Sequence, residues 1–591
     1  MSSTDPAGDA PPPDDVKLTE SPPTTITGIL SRLGPGLIIA GSIVGSGELI
    51  ATTKTGAEAG FTLLWLIVIG CVIKVFVQVE MGRYAIISGK TPLVALAEVP
   101  GPSIPGRGNW LIWYWAIVFL ATIGQVGGIV GGVGQALQIS VPLTSAGREF
   151  NAQVDRETEY RVAVAELAHA TKKSDQGDPA GTARAAQVQT RIAELGPQIV
   201  QERLAVAKEQ IRVAGAASPL LLEATSFAEE RVSTVGEKPE LVFDLSPEQA
   251  AGKSPEFLAT LRNLGRRSAH DDKVWALVIA AITAITLWIG HYGFIQSFST
   301  VLVASFTLIT VVNLAMLQNN DYWAVGIGDV IHGMSFHLPP APEGVSQMSV
   351  VATALATFGI IGVGANELIA YPYWCLEKGY ARFTGPRDKT EEWGQRARGW
   401  MRVMRWDAWC SMVIYTFATL AFYFLGAAIL GRVGLNPAGS DMIRTLGVMY
   451  EPVFGSIARW VFLFGAFAVL YSTFFVATAS LARVVSDALR VMGVGPRTEE
   501  GYRLSIRVIS VIFPFLCVAA YALWSQPAVL VLIGGVMQGV MLPMLAGAAL
   551  FFRYQRADSR LTPGILWDIL LWVSAIGMLI TGVWTVISKL P

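Results

Sequence analysis

The chain has 591 residues, of which 52% are hydrophobic and only 15% are charged, and its formal net charge at pH 7 is −1. Hydrophobic runs of roughly 20 residues, the length that crosses a bilayer, recur along it. This composition excludes an ordinary soluble domain, and the near-zero net charge argues against a nucleic-acid partner. We therefore predict an all-α polytopic protein of the cell membrane, whose principal partner is the lipid bilayer.

The N-terminal stretch, residues 1–26, is rich in Pro, Ser, Thr and Asp and predicts a disordered cytoplasmic tail, because such a composition cannot build a core. Eleven apolar segments follow it. We place them near 35–53, 60–85, 109–141, 274–290, 293–316, 349–375, 408–431, 455–482, 505–524, 527–552 and 564–587.

The distribution of Lys and Arg predicts the orientation, since short cytoplasmic loops carry an excess of them. The loop before the sixth segment, residues 317–348, has none. The loop after it holds Lys378, Arg382, Arg387, Lys389, Arg396, Arg398, Arg402 and Arg405. We therefore expect a cytoplasmic N-terminus and, with an odd number of crossings, an extracytoplasmic C-terminus.

Residues 142–272 form a polar insert whose Ala-, Glu- and Arg-rich composition favours helix. The orientation places this insert on the extracytoplasmic face. It is either a helical spacer or a lid that binds a partner or gates access, and the sequence does not identify that partner.

The first apolar segment contains Gly45, Ser46 and Gly47 directly before Glu48. The two glycines around a short polar residue favour an unwound turn, and irregular backbone at membrane depth survives only where it lines a cavity or is buried in protein. An isolated carboxylate at this depth is costly, so Glu48 is a functional-site hypothesis.

The sixth segment repeats this pattern with Gly364, Ala365, Asn366 and Glu367, again followed by Leu-Ile-Ala. Two interrupted hydrophobic segments at corresponding places in two halves indicate the binding site of a secondary transporter. The alternative is a chance repeat with both acids at helix ends. We predict a substrate site formed by Gly45, Ser46, Gly47, Glu48, Gly364, Ala365, Asn366 and Glu367.

The first two segments carry the runs Gly34-Pro35-Gly36, Gly56-Ala57-Glu58-Ala59-Gly60-Phe61 and Ser88-Gly89-Lys90. In these runs the chain resembles the Nramp (natural resistance-associated macrophage protein) family of metal-ion transporters, over all eleven segments but not the insert. The resemblance implies a LeuT-like fold of two inverted five-helix repeats plus an eleventh helix. The first repeat would take residues 27–141 and 273–316, the second 349–552, and the last helix with the C-terminus 563–591.

The chain departs from the family at its metal site. Gly45-Ser46-Gly47-Glu48 stands where the family has Asp-Pro-Gly-Asn, and Asn366-Glu367-Leu368 begins where the family has its methionine. The third segment lacks, around Gln125, the acids that are thought to pass protons in the family. We expect a divergent member without the usual manganese and iron motifs, in which protons remain only a candidate coupling ion.

The remaining candidate ligands are all oxygen donors, namely Glu48, Asn366, Glu367 and Ser46, with the backbone carbonyls freed at each break. Oxygen donors suit hard cations, so magnesium or manganese is the predicted substrate. Alternative substrates are a proton, an organic cation or another small solute on the same scaffold. Alternatively, the protein is a non-transporting sensor that uses the insert. The sequence shows no nucleophile–base pair and no phosphate-binding loop, so we do not expect an enzyme. We also expect no cofactor.

Overall fold

A computed structural model describes residues 19–214, 218–289, 292–339 and 346–588. Within these ranges eleven helical stretches are long and apolar enough to cross a membrane, which confirms the predicted number. Spans 1 to 11 are Pro35–Ala59, Leu64–Ser88, Trp110–Ser140, Asp271–Ile289, Thr300–Leu317, Gln347–Lys378, Glu391–Gly431, Met442–Val491, Glu499–Leu523, Pro527–Arg556 and Ile565–Ile587.

Span 1 runs without the predicted unwound turn. It is α-helical over Pro35–Ile43, π-helical over Val44–Thr52 and α-helical again over Thr53–Ala59. The prediction failed because the glycines are used for close packing: a Cβ on Gly45 would lie 2.3 Å from Oγ1 of Thr473 in span 8. Glu48 therefore lies in a widened helical turn rather than in a loop.

Span 6 is interrupted, as predicted. Its first half, Gln347–Ile360, and its second half, Ala365–Lys378, are separated by four residues that include Gly362 with φ +58°. Glycine adopts this left-handed conformation at little cost, whereas other residues are strained there. The break leaves the last carbonyls of the first half and the first amides of the second without helical partners.

Spans 1 and 6 lie in the interior of the protein, while other spans present apolar surface outward. Fully or mostly exposed apolar side chains occur on spans 4, 5, 9 and 11, for example Ile285, Leu308, Leu523 and Ile565. Such a surface is stable against lipid tails but not against water. The two helices that carry the predicted site are thus surrounded by other spans rather than by lipid.

The insert consists of helices joined end to end outside the spans. Ser145–Asp175 and Pro179–Ala214 form a helical hairpin, and four shorter helices follow at Pro219–Val235, Pro239–Phe243, Pro247–Ala250 and Pro255–Arg262. Phe243, Phe257 and Leu261 belong to a small apolar core of its own. The predicted helical character of the insert is confirmed.

The structure describes only residues 19–26 of the predicted disordered tail, and there it places contacts with the rest of the chain. Glu20 donates its amide to the Phe383 carbonyl at 3.1 Å and accepts from the indole of Trp400 at 2.9 Å, and its carboxylate pairs with Arg32. A short helix then begins at Ile26. The polar composition gave no sign of these contacts, because two of the three are made by backbone groups of Glu20. Residues 1–18 of the predicted tail lie outside the described residues.

Candidate functional site

Glu48 is fully buried in the π-helical turn of span 1. Its Oε1 accepts a hydrogen bond from the Thr419 hydroxyl of span 7 at 2.9 Å, while its Oε2 has no partner among the described residues. A buried carboxylate oxygen without a donor is costly, so this position favours a proton or a cation beside it.

Glu367 lies in the first turn of the second half of span 6. The Ser42 hydroxyl of span 1 donates to its Oε1 at 3.1 Å, and the positive end of the helix dipole favours a negative charge at this place. Ser42 lies six residues before Glu48 in span 1, so both acids lie at the contact between spans 1 and 6. The structure therefore brings together the two acids that repeat in the sequence.

Asn366 connects span 6 to spans 3 and 10. Its amide donates to Oε1 of Gln538 at 3.1 Å, and its side-chain nitrogen donates to the Thr122 hydroxyl at 3.2 Å. Gln538 in turn donates to Oε1 of Gln125 at 2.7 Å. Thr122 and Gln538 were not among the predicted site residues, although an isolated polar residue in an apolar span is the signal that could have found them.

The small residues of the predicted site bring helices close together. An added Cβ on Gly47 would lie 3.0 Å from the Ile360 carbonyl oxygen, and one on Gly364 would lie 2.6 Å from Oε2 of Glu367. Ser46 and Ala365 are buried beside them. Gly364 in particular leaves the space that the Glu367 carboxylate fills.

Lys74 in span 2 is a buried charge that the site prediction did not include. Its ammonium donates to the carbonyl oxygens of Phe358 and Ile361, the latter at 2.7 Å, and lies 4.6 Å from the centroid of the Phe358 ring. These carbonyls stand at the break in span 6, directly before the half-helix that carries Glu367. The site thus contains one cationic and two acidic side chains.

The described residues contain no group of three or more His, Cys, Asp or Glu side chains that could hold a metal ion. Any ion bound here would rely on two carboxylates plus neutral oxygens from Asn366, hydroxyl groups or the backbone. Such a set suits a hard cation that keeps part of its water shell.

Comparison with known proteins decides the family. The model of the family described as "Natural resistance-associated macrophage protein-like" matches residues 250–588, more than half of the chain. The chain belongs to this family. The match begins after span 3, whereas the runs that suggested the resemblance lie in spans 1 and 2. Family membership and the eleven spans establish the chain as a polytopic Nramp-family membrane protein with a LeuT-like fold.

Among curated relatives, the divalent metal cation transporter MntH of Yersinia enterocolitica is 31% identical over 108 residues, 18% of this chain and 25% of the relative. MntH of Mycobacterium tuberculosis is 30% identical over 119 residues, 20% of this chain and 26% of the relative. The chain therefore covers about a quarter of the length of these relatives.

Two solved structures align over most of the chain. The manganese transporter of Eremococcus coleocola, in complex with an aromatic bis-isothiourea substituted compound, has a TM-score of 0.49 and 13% identity and covers 96% of this chain and 88% of its own. Mhp1, a nucleobase-cation-symport-1 family transporter, has a TM-score of 0.43 and 13% identity over 94% and 90%.

Proposed function

We propose that this Nramp-family protein is a secondary transporter that moves a divalent metal cation through a site between spans 1 and 6. The observation that carries the proposal is the fully buried Oε2 of Glu48, which has no hydrogen-bond partner among the described residues and lies in the span whose Ser42 binds Glu367. Two carboxylates at close range repel each other, and a divalent cation between them removes that cost. Family membership and the names of the MntH relatives support transport rather than catalysis.

The proposed ligands are Glu48, Glu367 and the side-chain oxygen of Asn366, and the glycines of both helices let the backbone approach. All of these are oxygen donors, and no methionine sulfur stands at the position where the family has one. Oxygen donors favour hard cations over soft ones, so magnesium or manganese is the proposed substrate. Magnesium needs only one or two carboxylates, because it retains several waters.

The experiment is uptake of magnesium and of manganese into liposomes that contain the purified protein. Glu48→Gln and Glu367→Gln each remove one charge while keeping the side-chain shape. Matched controls are Glu58→Gln in span 1, which pairs with Lys54 at 2.8 Å, and Glu377→Gln in span 6, which pairs with Arg483. These two acids lie on the same helices as the proposed ligands but take no part in the site.

We expect each site variant to lose roughly tenfold or more in apparent affinity, equivalent to about 1.4 kcal/mol. The two control variants should take up both ions as the parent chain does. A parent chain that moves neither ion, with all four variants indistinguishable from it, would contradict the proposal.

A second candidate, an organic cation or another small solute, is favoured by Lys74. Its ammonium lies at the break in span 6, against the Phe358 and Ile361 carbonyl oxygens. With Lys74 and both acids ionised, the site would carry one net negative charge. One net charge suits a monovalent organic cation. Competition of small organic cations with magnesium in the same liposomes separates the two candidates.

The arrangement in the membrane is also a proposal. The N-terminus is cytoplasmic, and the insert and the C-terminus are extracytoplasmic, because Lys and Arg are concentrated in the loop after span 6 and absent from the loop before it. Residues 27–141 with 273–316, and residues 349–552, form the two inverted repeats. This division is supported by the recurrence of a carboxylate followed by Leu-Ile-Ala at Glu48 and Glu367, one in each proposed repeat. Protons remain the candidate coupling ion.

A further inference from the structure

The first half of span 6 ends at Ile360, in the middle of the protein. The last carbonyls of a helix lack helical partners and carry the negative end of its dipole. In transporters built from broken helices, such carbonyls and half-helix C-termini coordinate the coupling cation. This helix end is therefore a place where a free monovalent cation could bind.

In this chain the ammonium of Lys74 fills that place. It lies against the Phe358 and Ile361 carbonyl oxygens and over the face of the Phe358 ring, and no part of the side chain is exposed. A lysine ammonium is a compact point charge on a flexible stem, so it can occupy the position of a small cation. The Cys71 side chain, three residues earlier in span 2, is also fully buried.

We propose that Lys74 is a tethered cation, which occupies the oxygen site of a monovalent ion at the break in span 6 and offsets one of the two site carboxylates. The second part rests on the proposed function, because it assigns Glu48 and Glu367 to the substrate site. The first part does not depend on which substrate is moved. The protein then needs no soluble monovalent cation at this helix end.

The test uses the full chain, purified in lipid nanodiscs, and measures its thermal unfolding midpoint in choline, sodium, potassium and methylammonium chloride. The parent chain should have the same midpoint in all four salts. Lys74→Ala should have a lower midpoint in choline, and sodium or methylammonium should raise it saturably by about 2 °C or more. Lys74→Arg keeps the charge but replaces a compact ammonium with a larger planar guanidinium, so it should not restore the midpoint of the parent chain.

Lys54→Ala is the matched control, since Lys54 pairs with Glu58 near the end of span 1 and should show no cation-specific rescue. A saturable midpoint shift in the parent chain, or a loss of stability in Lys74→Ala that no cation reverses, would overturn the proposal. So would a Lys74→Ala protein as stable as the parent in choline.

If Lys74→Ala does not fold, the double variant Lys74→Ala/Glu48→Gln decides, because it removes one charge of each sign. Recovery of folded protein supports the charge-balancing role, and continued failure of the double variant to fold contradicts it. These readouts are independent of uptake. A failure of the divalent-transport proposal would therefore appear in the liposome uptake assay and not in these unfolding measurements.

Discussion

The hydroxyl of Thr473 in span 8 replaces a backbone hydrogen bond of span 1. It accepts from the Gly45 amide at 2.9 Å and donates to the Gly41 carbonyl at 3.0 Å, two groups that would bond directly in a regular α-helix. The π-helical turn begins at this point. Side chains inserted into the helical ladder distort helices, and π-helical turns are frequent at functional sites. The position of Glu48 therefore depends on a threonine from another span.

Thr473→Val should destabilise the protein by about 1–3 kcal/mol, because it leaves the Gly45 amide and the Gly41 carbonyl buried without a partner. Thr473→Ser should keep both bonds and most of the stability. Thr478→Val is the control on the same span, since the Thr478 hydroxyl donates only to the Phe474 carbonyl of its own helix. Thermal unfolding in nanodiscs measures the effect. Equal losses for the two valine variants would contradict the bridging role.

Asp407 of span 7 holds the start of span 1 against span 6. Its carboxylate accepts from the amides of Gly34 and Gly36 at 2.8 and 2.6 Å and from the Tyr371 hydroxyl at 3.1 Å, and it is 1% exposed. Asp407→Asn replaces one acceptor with a donor that faces an N–H group. We expect a loss of about 1–3 kcal/mol in the free energy of unfolding.

The control for this variant is Asp388→Asn, an exposed loop carboxylate bound to Thr390. A second readout is the labelling rate of a single cysteine introduced at the start of span 1. If Asp407→Asn labels and unfolds like the parent chain, Asp407 does not hold these spans together.

The sequence predicted those features that local composition determines. Eleven spans follow from apolar length, and the break in span 6 follows from Gly362 and Gly364. The internal repeat predicted that Glu48 and Glu367 form one site, and this stays a prediction. Span 7 shows the limit: its helix begins at Glu391, whereas its apolar run begins near residue 408. A helix that continues beyond the bilayer carries polar residues, which hydropathy assigns to a loop.

The remaining features depend on residues that are distant in the sequence. The π-helical turn needs a threonine 428 positions away, and Gln125 meets its partner Gln538 across 413 positions. The role of Lys74 depends on carbonyl oxygens that only the break in span 6 exposes. No local pattern encodes such pairs, so a single sequence could not reveal them.

Asp155 of the insert is bound to two arginines of span 8. The distances from its oxygens are 2.6 Å to Nε of Arg444, whose side chain is 6% exposed, and 2.8 Å to Nη1 of Arg459. Asp155→Ala removes the partner of the nearly buried Arg444 charge. We therefore expect the free energy of docking the insert onto span 8 to weaken by about 1–3 kcal/mol. Amide hydrogen exchange should then rise in the helix Ser145–Asp175.

The control is Asp244→Ala, because Asp244 pairs with Arg262 at 2.8 Å on the exposed surface of the insert. An exposed pair contributes little, so exchange at the docking helix should stay as in the parent chain. Equal exchange in the parent chain and in Asp155→Ala would show that this ion pair does not hold the insert to span 8.

The proposed orientation can be tested with topology reporters. A reporter fused after Arg398 should report the cytoplasm, because the surrounding loop is rich in Lys and Arg. A reporter placed within residues 142–272 should report the opposite side. Detection of both reporters on one side of the membrane would contradict the proposed topology.

Asn366 provides the sharpest test of ion preference. Its side chain donates to Thr122 through nitrogen and is only partly buried, so its oxygen is available to the site. Asn366→Met places a sulfur where the family has its methionine, and sulfur favours softer cations. We expect the ratio of cadmium to magnesium affinity to rise about tenfold, equivalent to about 1.4 kcal/mol.

Asn366→Leu, which loses the same amide without adding sulfur, should not show this gain. If the methionine and leucine variants bind cadmium equally in liposome competition assays, residue 366 does not contact the ion, and the ligand set reduces to the two glutamates.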